Sequence, residues 1–193
     1  MHDLKKYINN ISPLSEVTWQ QFQNIFKERR LSNLDFFVRE GEIATKIGIL
    51  QEGLVRGFYR NEDGIEYNKT FFTAPSFIGA YASLITKKEN LINQQALSDC
   101  NIYEAKYHDF EQLCSKNIEL ERLAKKIAQL HFVQKEKREI ELVMLDAEKR
   151  YDILKSEFPN IENQVQQYHI ASYLGITPTQ LSRIRKKIKS LHM

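Results

Sequence analysis

The chemistry most easily read from this chain belongs to Thr177, Thr179, Gln180, Ser182, Arg183, Lys186 and Lys187. They lie on the outward side of a segment whose other side carries Ile176, Leu181, Ile184 and Ile188 at helical spacing. Cations at that density suit phosphates, and Gln and Arg can hydrogen-bond to base edges. Residues 163–193 hold five Lys/Arg and no Asp or Glu, so the remainder of a chain of net charge +3 is net negative. A positive field confined to one end argues for one docking surface rather than general adhesion to polyanions. The plainer reading is a helical hairpin with a solvated basic face, since cations also suit helix C-termini.

Positioning these side chains requires two helices and a tight turn. Gln167–Leu174 reads as the first helix, Gly175–Ile176 as the turn, and Thr177–Lys189 as the second. Ala171 is small where two helices would cross closely, and Gly175 supplies the positive φ of the turn. Thr177 can N-cap the second helix, with Pro178 at its first position, where a missing N–H costs nothing.

Upstream, residues 3–11 and 15–28 read as two short helices broken by Pro13, the second turning Val17, Trp19, Phe22, Ile25 and Phe26 inward. From about residue 31 to 106 the period changes to two. Strands are expected over 34–42, 46–50, 54–60 and 65–72, with Asp63-Gly64 as a hairpin turn. A further antiparallel pair is expected from 90–97 and 101–106. Six of the seven glycines fall between 41 and 79, as many tight corners require. The expected architecture is α+β: a small double-stranded β-helix, or jelly-roll, barrel followed by an all-α C-terminal part.

From Tyr107 the period returns to 3.6. A short helix precedes a long one, from about Asn117 to Leu145, with no Gly or Pro inside it. At 1.5 Å per residue it would be roughly 40 Å long, more than a small barrel covers. Its seam of Leu120, Leu123, Ile127 and Leu130 is therefore expected at a homodimer interface, the alternative being packing on its own barrel. Asp146–Phe158 is a further helix ended by Pro159. These boundaries divide the chain into a barrel with flanking helices (1–115), a dimerisation helix (116–145) and a helix-turn-helix domain (146–193).

At 193 residues, 42% hydrophobic and 27% charged, the composition is that of a globular protein. No apolar run approaches the ~18–20 residues of a membrane span. The start of the chain, with Asp3, Lys5 and Lys6, is unlike a signal peptide. Cys100 and Cys114 fit a reducing cytoplasm and are too few for a four-cysteine metal or iron–sulfur site. All five histidines (His2, His108, His131, His169 and His192) fall outside the barrel strands. With no His/Glu set and no Ser-His or Cys-His pair on those strands, neither metal, cofactor nor catalytic residue is expected.

The order of helical lead-in, barrel, long helix and helix-turn-helix resembles the Crp/Fnr family of bacterial transcription regulators over essentially the whole chain. Gly41 after Glu40, and Gly53, resemble the family's barrel-turn glycines, and Asp63-Gly64 its hairpin. Phe77–Leu84 resembles its phosphate cassette, and the pattern from Leu174 to Lys187 is the most specific part. The resemblance implies a homodimer on a palindromic duplex, with RNA polymerase and a small-molecule effector as further partners and no membrane. It places the ligand pocket at Phe77, Gly79, Ala80, Tyr81, Asn90 and Leu91.

The departures are equally specific. Ala80 stands where cyclic-nucleotide binders have a glutamate for the ribose, and Asn90-Leu91 where they have Arg-Ser for the phosphate. Lys87 or Lys88 is the nearest substitute cation. A response to cyclic AMP is therefore not expected. Thr179 replaces a glutamate that reads cytosine in relatives, and only Ser190–Met193 follow Lys189, as in wingless members. The alternative is a ligand-binding or protein-interaction module whose helix-turn-helix is residual. A cupin-type enzyme shares the barrel shape but lacks its metal set.

Overall fold

A computed structural model describes residues 2–191. Helices α1 (His2–Ile11) and α2 (Glu16–Asn24) lead into strands β1 (Lys27–Leu31), β2 (Phe36–Val38), β3 (Lys46–Glu52), β4 (Leu54–Arg60), β5 (Glu66–Thr73) and β6 (Ser76–Ile78). After α3 (Tyr81–Thr86) come β7 (Asn93–Ala96) and β8 (Cys100–Lys106). The remainder is helical: α4 (Tyr107–Lys116), α5 (Ile118–Met144), α6 (Ala147–Glu157), α7 (Ile161–Gln164), α8 (Gln167–Leu174) and α9 (Pro178–Leu191).

The strands form two antiparallel four-stranded sheets, ordered β1-β8-β3-β6 and β2-β7-β4-β5. This is the expected α+β architecture, with two corrections. β7 and β8 are not partners but lie in different sheets, the chain crossing between them at Leu97–Asp99. At this crossing the Ser98 Oγ accepts from the Leu54 amide, and Gly53 runs so close to the Asp99 carbonyl that a Cβ would meet it at 2.5 Å. The helix expected over 15–28 ends at Asn24, and residues 27–31 are strand. The sequence KERRL has no apolar face for a helix to bury, but it suits an edge strand, where charge discourages further pairing.

Alternation along the strands sorts the cores. Leu50, Val55, Ile78, Ala96 and Ile102 meet between the sheets. A second core joins α1, α2, α4 and the start of α5 to Ile47, Ile49 and Tyr103 of the barrel. Trp19, Phe22 and Phe26 enter it as expected, but Val17 lies on the outer side of α2, 70% exposed. The third core is shared: Leu54 of β4 and Phe71 of β5 pack with Tyr151, Leu154, Ile161, Ile170, Tyr173 and Leu181. The C-terminal helices thus rest on the outer face of the second sheet. A T-shaped and tilted aromatic cluster, Phe71 with Phe158 at 6.0 Å and with Tyr173 at 5.3 Å, crosses that junction.

Candidate functional site

Helices α8 and α9 and the turn between them form as the residue types require. Gly175 adopts φ 67°, and its amide, with that of Ile176, closes the C-terminal turn of α8 on the carbonyls of Ser172 and Ala171. Thr177 and Gln180 then make a reciprocal capping box: the Gln180 amide donates to Thr177 Oγ1 at 3.2 Å, and the Thr177 amide donates to Gln180 Oε1 at 2.9 Å. Leu181 and Ile184 are buried, with Ile176 and Ile188 packed beside them. α9 therefore presents one fixed outer face.

The polar residues on that helix divide into two groups. Thr179, Ser182, Arg183 and Lys186 are exposed, and among the described residues no intramolecular partner engages their side chains. The rest are engaged. Thr177 and Gln180 cap the helix, and Lys187 Nζ reaches both carboxylate oxygens of Glu148 on α6, at 2.7 and 2.8 Å. Arg185 turns inward and braces α9 through Glu162 and the Tyr151 hydroxyl.

The opposite side of this unit is fastened to the barrel by polar groups that sequence reasoning missed. Arg56, in the middle of β4, is 5% exposed. Its Nη1 donates to Glu66 Oε2 at 2.6 Å and to His169 Nδ1 at 3.0 Å, while Nε and Nη2 donate to Gln95 Oε1 at 3.0 and 2.7 Å. Arginine can only donate, so Nδ1 of His169 is the acceptor and its proton resides on Nε2. Burial, reinforced by the Arg56 charge, pushes the His169 imidazole down to about 4, which keeps it neutral. Burial alone would raise Glu66, but hydrogen bonds from Arg56 and Arg60 hold it below the ordinary carboxylate range. Asn68 Nδ2 donates to the His169 carbonyl at 3.0 Å. Ser172 completes the junction: its Oγ accepts from the Asn68 amide at 2.9 Å and donates to the Glu66 carbonyl at 2.7 Å. One hydroxyl thus fills a donor and an acceptor on β5, the free edge of its sheet. On the far side of α8, Arg138 of α5 donates to the Tyr173 carbonyl and Arg150 of α6 to that of Leu174.

The residues placed in a ligand pocket by resemblance do not form a cyclic-nucleotide cradle. Asn90 is buried, and its side chain is taken up by backbone: Nδ2 donates to the carbonyls of Arg39 and Ile92, and Oδ1 accepts from the Ile92 amide. It ties the loop after α3 to the turn at Gly41, whose amide donates to the Asn90 carbonyl. Leu91 points to solvent at 72% exposure, and Tyr81 is likewise exposed. Ala80 is buried with no group to accept from a ribose, and the Gly79 carbonyl accepts from Gln94 Nε2. Phe77 packs against Tyr7. Lys87 lies 5.4 Å from the Tyr107 ring, so its charge is engaged there. Between the sheets, Ile78 and Phe37 crowd Gly48, and Thr70, Phe72 and Ile92 crowd Gly57. Ala80, Asn90 and Leu91 carry no charge, and the Asn90 side chain is already occupied by backbone, so these residues supply neither the ribose acceptor nor the phosphate cation of a cyclic-nucleotide site.

The seam on α5 also divides. Leu120 and Leu123 are fully buried in the core with α1, α2 and α4, and have no surface left to give a second copy. Ile127 packs beside them, and Leu130 is half exposed. At one end the helix is covered by its own neighbouring helices α1, α2 and α4. Beyond Leu130 it runs free on one side, exposing Val133, Ile140, Val143 and Met144, while Arg138 and Glu141 face the C-terminal unit.

No helix is long and apolar enough to cross a membrane among the described residues, and none of their His, Cys, Asp and Glu side chains cluster as a metal site. No curated protein matches the chain in sequence. Solved structures do share its fold. A c-di-GMP-responsive global regulator from Xanthomonas campestris aligns over 91% of this chain and 92% of its own at 20% identity, with a TM-score of 0.72. FixK2 from Bradyrhizobium japonicum aligns over 87% and 86% at 15% identity, with a TM-score of 0.75. A protein from Eubacterium rectale, described as a transcriptional regulator of the Crp/Fnr family, aligns over 92% and 84% at 12% identity, with a TM-score of 0.72. Residues 28–117 match the family of cyclic nucleotide-binding domains, and the chain shares the fold of these three structures over most of its length.

Proposed function

We propose that this chain is a cytoplasmic DNA-binding transcription regulator that acts as a homodimer on a palindromic site and does not respond to cyclic AMP. The observation that carries the reading is the outer face of α9. Thr179, Ser182, Arg183 and Lys186 stand free on a helix whose other face is locked in a core. A helix so presented can enter a major groove, with arginine reading a guanine edge and lysine meeting phosphate. The fold shared with Crp/Fnr-type regulators supports the assignment, and RNA polymerase and a small effector other than cyclic AMP are its further partners. The division into 1–115, 116–145 and 146–193 describes barrel, dimer helix and reading unit.

The dimer face is the free side of α5, from Leu130 through Val133 and Ile140 to Met144, rather than the buried Leu120 and Leu123. An apolar stripe of that length on an exposed helix is the kind of surface a second copy covers. Duplex binding measured between about 50 and 200 mM salt tests the reading, because each phosphate contact adds about −0.9 to the log–log slope. A slope corresponding to several contacts is expected. Absence of any duplex binding at the lower salt would overturn the assignment.

A further inference from the structure

The barrel does not touch the reading face of α9, yet it holds the unit that carries it. Leu54 and Phe71 contribute to the C-terminal core, and Arg56, Asn68 and Glu66 engage His169 and Ser172 on α8. Arg56, Asn68, Gln95 and His169 are each less than a tenth exposed, and hydrogen bonds inside the junction link all four. A buried guanidinium with satisfied partners is held in place, because leaving any partner unpaired in that environment is costly. The Ser172 hydroxyl adds a geometric requirement. It bonds at once to the Asn68 amide and the Glu66 carbonyl, so α8 cannot slide along β5 without losing both contacts. In this docked arrangement Thr179, Ser182, Arg183 and Lys186 remain uncovered, so the junction does not mask the reading face.

From this geometry we infer that the outer face of the second sheet is the positioning surface for the DNA-reading unit. Arg56 and Ser172 are the residues that fix its angle, and with it the spacing of half-sites the protein accepts. The inference rests on the DNA-binding reading and deepens it. Neither residue touches DNA; each acts through α8 on the placement of α9. A dimer gains affinity from its second half-site only if both reading units are held at the separation the duplex presents. A unit fastened to a rigid sheet meets that condition at one spacing, whereas a unit on a loose hinge meets it less well at several.

The test uses the full chain with Ser172→Val, Arg56→Gln and the double variant, checked for native helix content by circular dichroism. Amide exchange of Asn68, measured without DNA, reports the contact itself. Losing the Ser172 acceptor should speed that exchange by about tenfold. In-vitro selection from duplexes with two half-sites and a variable spacer then reads the consequence. Wild type should select one spacing, losing roughly tenfold for each base pair added or removed, a loss comparable to one mismatched base pair. The double variant should bind spacings one or two base pairs apart within about threefold of each other and lose about tenfold on the preferred full site. Its affinity for a single half-site, and its base preference, should stay at the wild-type level.

An unchanged spacing preference in the double variant would overturn the inference, as would equal losses on half-site and full site. Tighter full-site binding would also overturn it, because the junction would then be a restraint rather than a positioning contact. If wild type binds no duplex, the DNA-binding reading fails, while faster Asn68 exchange in Ser172→Val would still establish the docked junction in solution.

Discussion

Protonating His169 should loosen the fold in a pH window that the structure defines. The imidazole is buried between Arg56 of β4, which donates to its Nδ1, and Asn68 and Glu66 of β5. Its native value is about 4, against about 6.5 for an unfolded histidine. The folded value is depressed, so the stabilisation is fully present above pH 6.5 and is lost as pH falls toward 4. With those two values, linkage puts the loss at about 2 kcal/mol between pH 7 and pH 5 and at roughly 3 kcal/mol in full. Glu66 is held below the ordinary carboxylate range, so its own titration lies mostly beneath this window. Urea unfolding of wild type and of His169→Gln, at half-unit steps from pH 7 to 5, isolates the effect. Glutamine can still accept from Arg56 but does not titrate, and all other groups are common to both proteins. The stability difference between the two should shrink by about 2 kcal/mol on acidification. Parallel curves would refute the placement of His169 as a buried neutral acceptor.

Four further outcomes are expected. Val133→Glu with Ile140→Glu should give a folded monomer by light scattering, whereas Leu123→Ala should cost roughly 2–5 kcal/mol in urea unfolding whatever the oligomeric state, because Leu123 is buried within its own chain. Arg183→Ala should cost about 1–3 kcal/mol on the selected site and relax preference at one base position. Lys186→Ala should weaken all duplexes alike and flatten the salt slope by about one unit, and Lys187→Ala should do so less, because Glu148 already compensates that charge. Calorimetry with cyclic AMP should show no binding at micromolar concentration: losing the phosphate's cation and the ribose's acceptor costs roughly 1.5–3 kcal/mol each, or about a hundredfold or more together.

The C-terminal unit was legible because its signals are local. Gly175, Thr177, Pro178 and the apolar spacing of Leu181 and Ile184 each constrain only the residues beside them, and each does so in the structure. The barrel strands were legible for the same reason, as alternation and turn glycines act within a few residues. Pairing was not. Whether β8 lies beside β7 or beside β1 and β3 depends on how the chain crosses between sheets at Leu97–Asp99, and period-two alternation is identical in both arrangements. The seam on α5 was ambiguous for a related reason. Apolar spacing says that Leu120 and Leu123 are covered, but a second copy and the helices α1, α2 and α4 would leave the same trace.

The junction was hidden for a deeper reason. β4 reads Leu54-Val55-Arg56-Gly57-Phe58, a run apolar on both faces except for one arginine. Such a run implies a strand covered on both sides, and here the outer cover is the C-terminal unit. A charge inside it has to find partners or be expelled, since an unpaired buried guanidinium costs several kcal/mol. Arg56 was therefore a signal of something packed against the sheet. What the sequence could not give is the identity of that partner, because His169 lies 113 positions away and nothing local marks it as an acceptor. Ser172 is harder still. A helical serine ordinarily bonds to its own backbone or to water. Its role arises only because β5 is an edge strand whose open groups at Glu66 and Asn68 need a donor and an acceptor at one point. The residues that hold the two parts of the chain together are thus those whose requirements are met entirely by tertiary contact, and it is at such positions that substitution should alter the placement of α9 while leaving its chemistry intact.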